Sequence, residues 1–322
     1  MRRLLSTAAA ATAAALTLAA CGSTEPAATA SKPAAHKITL TDATGAKITL
    51  EGPAKKVVST EWVVTEDLAS LGVRQAGAAD VKGYRQYDAV VPLPNTPQDI
   101  GTRGEPSMDT VAALAPDLII ATTDLSSSAL KQLKKVAPVL ELRPGDATDQ
   151  MGRMKQNLDL IARATGRTAQ AAALEKKFDA KLAAGRRKLA AAGLDGTEVA
   201  FADGYVASNQ VAVRPYTAGS LIGTVNEQLG LKNAWTVKGD KDYGLATTDV
   251  EGLTKLGKDT RFVYGSGAGN PFDGALKKNA VWTSLPFVAQ RHLATVRSGI
   301  WTFGGYGSMT QYVDALVGAL AK

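Results

Sequence analysis

The sequence predicts an α/β fold in which two similar lobes are separated by a long helical segment. Strand-like apolar runs alternate with helix-like segments from Lys56 to Leu142 and again after Gly193. The residues between these two parts show helical apolar spacing over about forty positions. Two similar stretches, "MDTVAALAPDLIIATTD" and "VEGLTKLGKDTRFVYGS", occupy corresponding places in the two parts, which indicates that the chain repeats one architecture.

The first lobe is predicted to begin with a β-hairpin and to continue as parallel βαβ units. The stretch "KITLTDATGAKITLEG" has two alternating runs around a turn at Asp42–Gly45. Strands "KVVST", "DLIIATTD" and "VLEL" then alternate with helices "WVVTEDLASLG" and "SSSALKQLKKVA". Apolar strands separated by helices are typical of a parallel sheet that is covered on both faces.

A long helix is predicted to connect this lobe to the second one. An apolar stripe runs from Leu174 to Leu189 at helical spacing, and Gly193 provides the stop. The alternation then resumes with "EVAFADG", "SLIGTVNEQLG", "VEGLTKLG", "RFVYGS" and "LATVRS", and it ends with the helix "SMTQYVDALVGALAK". We therefore assign residues 37–166 to the N-terminal lobe, 167–193 to the connecting helix and 194–322 to the C-terminal lobe.

The N-terminus is predicted to export the chain and to anchor it. Arg2 and Arg3 precede an apolar segment that is too short to span a membrane, which is typical of a signal peptide at residues 1–20. The single cysteine, Cys21, ends "LAAC", which resembles a bacterial lipobox in which the cysteine is lipidated. Residues 21–36 are predicted to form a flexible tether. We expect a lipid-anchored protein on the extracytoplasmic side of the cell membrane, exported by the Sec or the twin-arginine route.

The composition excludes several classes of function. The 37 basic residues exceed the 30 acidic ones only slightly and form no basic run, so no nucleic-acid partner is expected. One cysteine excludes internal disulfides, and two histidines without a metal-binding motif give no metal site. No nucleophile and base motif is present, so no enzyme activity is expected. Glu61 and Glu66 are predicted to be surface charges rather than an acid/base pair.

Aromatic residues and arginines in predicted loops are the candidate ligand-binding residues. Ligands of open α/β sheets bind beyond the carboxyl ends of the strands, and clefts between lobes are favoured sites. Aromatic rings with a few fixed cations suit a bulky, partly apolar ligand that carries anionic oxygens. The candidates are Trp62, Arg85, Arg103, Arg214, Tyr216, Tyr243, Trp301 and Phe303.

The chain resembles the iron-siderophore binding lipoproteins of ABC importers, in the ferrichrome/vitamin B12-type branch of periplasmic binding proteins. The resemblance covers essentially all of residues 37–322. It is carried by the order and spacing of "EDLASLGV", "DTVAALAPDLII", "TGRTAQAAALEKKF", "GSLIGTVNEQLGLKNAW" and "WTFGGYGSMTQYVDAL". The resemblance implies two Rossmann-like lobes joined by a single long α-helix, with the ligand cleft between them and a stiff hinge that allows only small closure.

The resemblance also implies partners and site residues. One acid on each lobe is expected to dock onto the paired permease subunits of an ABC importer with its ATPase, and these positions fall on Asp109 and Glu251. The family usually has Glu at both, so nearby Glu105 is an alternative for the first contact. The protein is expected to act as a monomer.

The expected ligand is a ferric siderophore, with a hydroxamate favoured because the candidate site combines aromatic rings with few arginines. Ferric catecholates, ferric citrate, cobalamin and haem are the alternative ligands, and an exported enzyme on the same scaffold is the alternative class. Iron would arrive fully chelated, so neither a protein metal ligand nor a cofactor is expected.

Overall fold

The structure, a computed structural model, describes residues 37–208, 210–266 and 269–322. The predicted signal peptide, Cys21 and the tether at 21–36 lie outside the described residues. In the described part, no helix is both long and apolar enough to cross a membrane.

The first half of the described chain has seven strands and four helices before the long helical segment. The elements are β1 (Ile38–Thr41), β2 (Lys47–Leu50), β3 (Val57–Ser59), α1 (Trp62–Ser70), β4 (Gly77–Ala78), α2 (Val81–Tyr87), β5 (Gln98–Asp99), α3 (Met108–Ala113), β6 (Leu118–Thr122), α4 (Ser127–Val136) and β7 (Val139–Leu142). Strands β1 and β2 form the predicted antiparallel hairpin. The other five form a parallel sheet in the order β5-β4-β3-β6-β7.

Burial explains why β6 is apolar from Leu118 to Ala121 and why β7 is apolar at every position except Glu141. Every residue of Leu118–Thr122 and Val139–Leu142 is buried, because helices cover both faces of the sheet. The chain leaves β3 towards β4 on one side and later returns to β6 on the other side. The carboxyl ends of β3 and β6 therefore form a switch point of strand order, where open sheets hold ligands.

Two helices, α5 (Gln150–Thr165) and α6 (Thr168–Ala191), follow the first sheet. Gly166 ends α5 with φ 69°, a left-handed conformation that glycine adopts without strain. Helix α6 has 24 residues and is about 36 Å long. Its buried residues pack against the last helix, and a Cβ on Gly185 would lie only 2.8 Å from Leu229 Cδ2. Gly185 therefore allows α6 to approach the C-terminal half closely.

The second half has five strands, four α-helices and two 3₁₀ turns among its described residues. The elements are β8 (Glu198–Ala207), β9 (Gln210–Pro215), α7 (Leu221–Gln228), β10 (Lys232–Asn233), a 3₁₀ turn (Glu251–Lys255), β11 (Arg261–Gly265), a 3₁₀ turn (Ala275–Lys278), α8 (Ala280–Ser284), α9 (Pro286–Ala289), β12 (Leu293–Val296) and α10 (Tyr306–Leu320). Strands β10, β8, β11 and β12 are parallel, and β9 pairs antiparallel with the outer half of β8. The two-lobed α/β fold predicted from the sequence is confirmed.

Two predictions of secondary structure in the second half were wrong. The stretch "VRPYTAG" was predicted as a loop, but Arg214 lies on β9, directly opposite Asp203 on β8. The stretch "VEGLTKLG" was predicted as a helix like its counterpart, but only the short 3₁₀ turn Glu251–Lys255 forms there. Glycines at both ends of this stretch disfavour a regular α-helix. Its counterpart forms α3, whose first turn is capped by the Ser107 hydroxyl.

A cluster of buried carboxyl groups joins α1 to α10. Glu66 was predicted to be a surface charge, but its side chain is completely buried and its Oε1 accepts a hydrogen bond of 2.8 Å from Ser308 N. Asp67 and Asp88 are also buried beside it. The prediction failed because the helix face that carries Glu66 is covered by the Gly304–Ser308 segment, where a Cβ on Gly304 would lie 2.2 Å from Glu66 Oε2. Glycine at this position leaves room for the carboxyl group.

Candidate functional site

The carboxyl ends of the strands in both lobes border one cleft. Its cavity has a volume of about 280 Å³. Residues that follow β3, β5 and β7 form one wall, and residues on or after β9, β10 and β12 form the other. The lining residues are Glu61, Val63, Arg103, Pro144, Arg214, Tyr243, Leu245, Trp301 and Phe303.

The wall from the N-terminal lobe is built on an arginine, a carboxylate and a tryptophan. Arg103 Nη1 lies 2.7 Å from Glu61 Oε1, and the same oxygen accepts a hydrogen bond of 2.9 Å from Trp62 N at the start of α1. The Arg103 guanidinium lies 4.1 Å from the centre of the Trp62 ring and 5.3 Å from that of Trp301. These contacts fix the arginine by ion pairing and by cation–π attraction.

Trp62 supports this wall more than it lines it. Only 4% of its surface is exposed, and its indole Nε1 donates a hydrogen bond of 3.2 Å to Asp80 O. Its ring packs edge-on against Trp301, with a centroid distance of 4.8 Å, and stacks on Tyr87 at 5.8 Å. Tyr87 is 52% exposed, so the aromatic group extends from the interior to the protein surface.

The wall from the C-terminal lobe is built around a second arginine–carboxylate pair. Arg214 Nε donates a hydrogen bond of 2.8 Å to Asp203 Oδ1, and Arg214 Nη2 contacts Asp203 Oδ2. The buried hydroxyl of Tyr216 donates to Asp203 Oδ2 at 2.9 Å and lies 2.8 Å from Thr302 Oγ1. Burial alone would lower the pKa of Arg214, but the hydrogen bonds and charge of Asp203 raise it, so this guanidinium stays charged.

A loop of the C-terminal lobe crosses to the N-terminal lobe beside the cleft. The Tyr243 hydroxyl donates a hydrogen bond to Asp124 Oδ2, just beyond the carboxyl end of β6. Arg143 pairs with Asp242 at 3.1 Å, and Gln150 Nε2 donates to Asp242 O at 2.8 Å. Burial raises the pKa of Tyr243, and so do the hydrogen bond to Asp124 and the charges of Asp124, Glu61 and Asp242. The Tyr243 hydroxyl therefore remains protonated and acts as a donor.

Two aromatic residues after β12 complete the cleft. Trp301 and Phe303 are half-buried, and their ring centroids lie 5.1 Å apart. Phe303 also contacts the Tyr243 ring edge-on at 5.5 Å, and the Arg214 guanidinium lies 5.5 Å from its centre. Aromatic surface is therefore continuous across the cleft from Trp62 to Tyr243.

The structure brings most of the predicted ligand-binding residues together. Arg103, Arg214, Tyr243, Trp301 and Phe303 line the cleft. Trp62 and Tyr216 lie directly behind it, where they support the two arginines.

Arg85 lies away from these residues. The stretch "KGYRQYD" forms helix α2 rather than a loop, and Arg85 is exposed on it beside the segment Pro92–Thr96. Its side chain lines a different groove from the one that holds Arg103 and Arg214.

Sequence reasoning missed the carboxylates of the cleft. Glu61 was predicted to be a surface charge, and Asp203 and Asp124 were not considered. Glu61 follows the β3 strand almost directly, and this position after an apolar strand was the only signal in the sequence. The pairing of Asp203 with Arg214 depends on the register of β8 and β9, which no sequence pattern gives.

The two acids expected to contact a permease are both exposed. Asp109 lies in the first turn of α3, and Glu251 begins the 3₁₀ turn before β11. Asp109 lies two residues after Ser107, whose backbone N donates to Ile100 O directly after β5, and Glu251 lies three residues after Thr248, which bridges Val213 on β9. Both acids therefore lie on the side of their lobe where the cleft opens. Glu105 is also exposed and lies four residues before Asp109.

No group of His, Cys, Asp and Glu side chains in residues 37–208, 210–266 and 269–322 has the arrangement needed to hold a metal ion. His292 lies beside Arg291 before β12, and His36 lies outside the described residues.

Comparisons with known proteins place the chain among solute-binding proteins. The family model described as "Periplasmic binding protein" matches residues 57–299. The Fe(3+)-citrate-binding protein YfmC of Bacillus subtilis is 26% identical over 261 residues, which cover 80% of this chain and 77% of that protein. The probable siderophore-binding lipoprotein YfiY of the same organism is 25% identical over 301 residues, covering 90% and 89%.

Among solved structures, the siderophore-binding protein FhuD from Vibrio cholerae with bound Fe3+-Desferal is similar with a TM-score of 0.73. It is 27% identical in sequence, and the match covers 83% of this chain and 98% of that chain.

Proposed function

The chain belongs to the periplasmic binding protein family, and on that premise we propose that it captures a ferric siderophore outside the cytoplasm and delivers it to an ABC importer. The observation that carries the proposal is the cleft between the lobes, where aromatic rings and two arginines converge at the carboxyl ends of both sheets. We propose a hydroxamate siderophore as the favoured type.

The chemistry of the cleft suits a metal that is already enclosed by its ligand. A ferric siderophore presents a bulky, partly apolar surface with coordinated oxygens at one side. Trp301, Phe303 and Tyr243 offer ring faces and edges to such a surface, and Arg103 and Arg214 offer hydrogen-bond donors to the oxygens. The protein then needs only to match the surface of the chelate and to donate hydrogen bonds to a few of its oxygens, and no side chain has to coordinate iron.

The remaining assignments follow from this role. We propose that Cys21 carries the lipid anchor that keeps the protein at the extracytoplasmic face of the cell membrane. Asp109 and Glu251 would each contact one subunit of the permease. The residue ranges 37–166, 167–193 and 194–322 would form the two lobes and their connecting helix, with the protein acting as a monomer.

Intrinsic tryptophan fluorescence tests the function. Saturable quenching is expected when a ferric trihydroxamate is added to the folded chain, because Trp62 and Trp301 lie at the cleft. Trp235 and Trp282 lie in the core of the C-terminal lobe and should retain their emission, so quenching should be partial. Ferric catecholates, ferric citrate, haem and cobalamin complete the panel. The proposal is contradicted if none of these ligands quenches the emission more than it quenches the urea-unfolded chain.

A further inference from the structure

Both arginines of the cleft are already neutralised by carboxylates of their own lobe. Arg103 pairs with Glu61, and Arg214 pairs with Asp203. The paired carboxyl groups are only partly exposed, with 20% of the Glu61 side chain and 32% of the Asp203 side chain reaching solvent. A ligand that enters the cleft therefore meets two ion pairs rather than two free positive charges.

These pairs are held by further contacts, which distinguishes them from mobile surface pairs. Glu61 is the N-cap of α1, and its Oε1 accepts a hydrogen bond from Trp62 N. Asp203 accepts from the Tyr216 hydroxyl and lies opposite Arg214 in the register of β8 and β9. Both carboxylates are therefore held in fixed positions within the site. Because each guanidinium has five N–H groups, donors remain available to a ligand while the net charge stays low.

A third carboxylate lies beside the cleft. Asp124 accepts a hydrogen bond from the Tyr243 hydroxyl at the edge of the same cleft. The charges of Asp124 and Glu61 both act on that hydroxyl, so the two carboxylates lie in the same electrostatic environment. Glu61 thus lines the cleft, and Asp203 and Asp124 lie beside it in contact with the lining residues Arg214 and Tyr243.

We propose that Glu61 and Asp203 are specificity-determining residues that restrict the ligand to ferric chelates of zero or positive net charge. The inference rests on the proposed function and narrows it. A polyanionic chelate gains little from arginines whose charge is compensated, and it meets repulsion from the same carboxylates, which are partly shielded from solvent. A ferric trihydroxamate core is uncharged and needs only hydrogen-bond donors. Ferric citrate, the ligand in the name of one relative, is expected to bind weakly here.

A series of ligands with one ferric core tests the inference. Ferrioxamine B has an uncharged ferric trihydroxamate core and a free terminal ammonium group. Its N-acetyl derivative is neutral, and its N-succinyl derivative is anionic. Wild-type protein is expected to bind the anionic form about tenfold or more weakly than the other two, measured by calorimetry at low salt. Glu61→Gln and Asp203→Asn should each reduce this difference to a few-fold or less, while Glu51→Gln, at a distant and highly exposed pair, should leave it unchanged.

Each outcome decides a distinct point. If wild-type protein binds all three forms equally, or prefers the anionic one, the selectivity inference is overturned while the proposed function stands. The same holds if Glu61→Gln and Asp203→Asn bind ligand but keep the wild-type preference. If one of the two variants does not fold, the other still decides whether the paired carboxylates set the preference. If wild-type protein binds none of the three forms, nor ferric citrate or a ferric catecholate, the proposed function itself is contradicted.

Discussion

Reversing the charge of both Asp109 and Glu251 to lysine is expected to abolish siderophore-dependent iron uptake and to leave ligand affinity unchanged. The two exposed acids lie at the carboxyl edges of the two sheets, one in each lobe. An acid facing an arginine of a partner orients docking, and replacing it by lysine places like charges opposite each other, which costs several kcal/mol per contact. Neither residue lines the cleft, so binding of a ferric trihydroxamate should be preserved.

The matched control makes the same change of charge elsewhere. Glu51→Lys/Asp259→Lys also reverses one highly exposed acid in each half of the chain, and both acids are 75% exposed. Uptake should remain normal in this control. The single variant Glu105→Lys shows whether Glu105 rather than Asp109 makes the first contact. Normal uptake by the Asp109→Lys/Glu251→Lys protein would contradict the docking role of these acids.

The second large effect is expected at the buried carboxyl cluster, where Asp88→Asn should stabilise the protein at alkaline pH. Burial, together with the charge of Glu66, raises the pKa of Asp88 to about 10. Asp67 contributes, Tyr84 lies nearby on α2, and the Ser308 hydroxyl donates to Asp88 Oδ1 at 3.1 Å. An asparagine amide can replace the protonated carboxyl without a proton to lose.

The sign of the effect follows from proton linkage. The unfolded Asp88 carboxyl ionises near pH 4 and the folded one near pH 10, so the folded state binds more protons between these values. The free energy of unfolding of the wild type therefore falls as pH rises through this window. In thermal melts from pH 5 to pH 9, the melting temperature of Asp88→Asn should rise relative to that of the wild type. The difference should reach about 5 °C or more at pH 9.

The exposed carboxyl of Asp259 provides the comparison, and Asp259→Asn should melt in parallel with the wild type at every pH. If Asp88→Asn also melts in parallel with the wild type, then Asp88 is not held protonated in the folded protein.

The strongly apolar elements could be predicted from the sequence because burial alone determines them. The apolar residues of β6, β7 and α10 are recognisable in the sequence itself. The structure has these elements close to the predicted positions. Strands β4, β5 and β10 have two residues each and were not predicted. They are strands because a neighbour supplies their hydrogen bonds, and local sequence does not encode such a neighbour.

The residues of the candidate site could likewise be predicted only in part. Aromatic residues and arginines near strand ends were informative because open sheets hold their ligands at that edge. In the structure, Arg103, Arg214 and Trp301 accordingly line one cleft. Arg85 showed the limit of this reasoning, since a helix carries it away from the cleft. The partners Glu61 and Asp203 could not be inferred, because an ion pair is set by three-dimensional register. The electrostatic character of the cleft depends on these partners.

Native mass spectrometry of the folded chain with a ferric trihydroxamate tests directly whether the ligand binds in the cleft between the lobes. We expect a 1:1 complex with the wild type and with Arg85→Ala, whose side chain lies outside the cleft. Arg103→Ala/Trp301→Ala should lose the complex, since truncating a central aromatic and an arginine each costs roughly 2 kcal/mol or more. A complex that persists in this double variant, or one that Arg85→Ala loses, would show that the ligand does not bind in the cleft between the lobes.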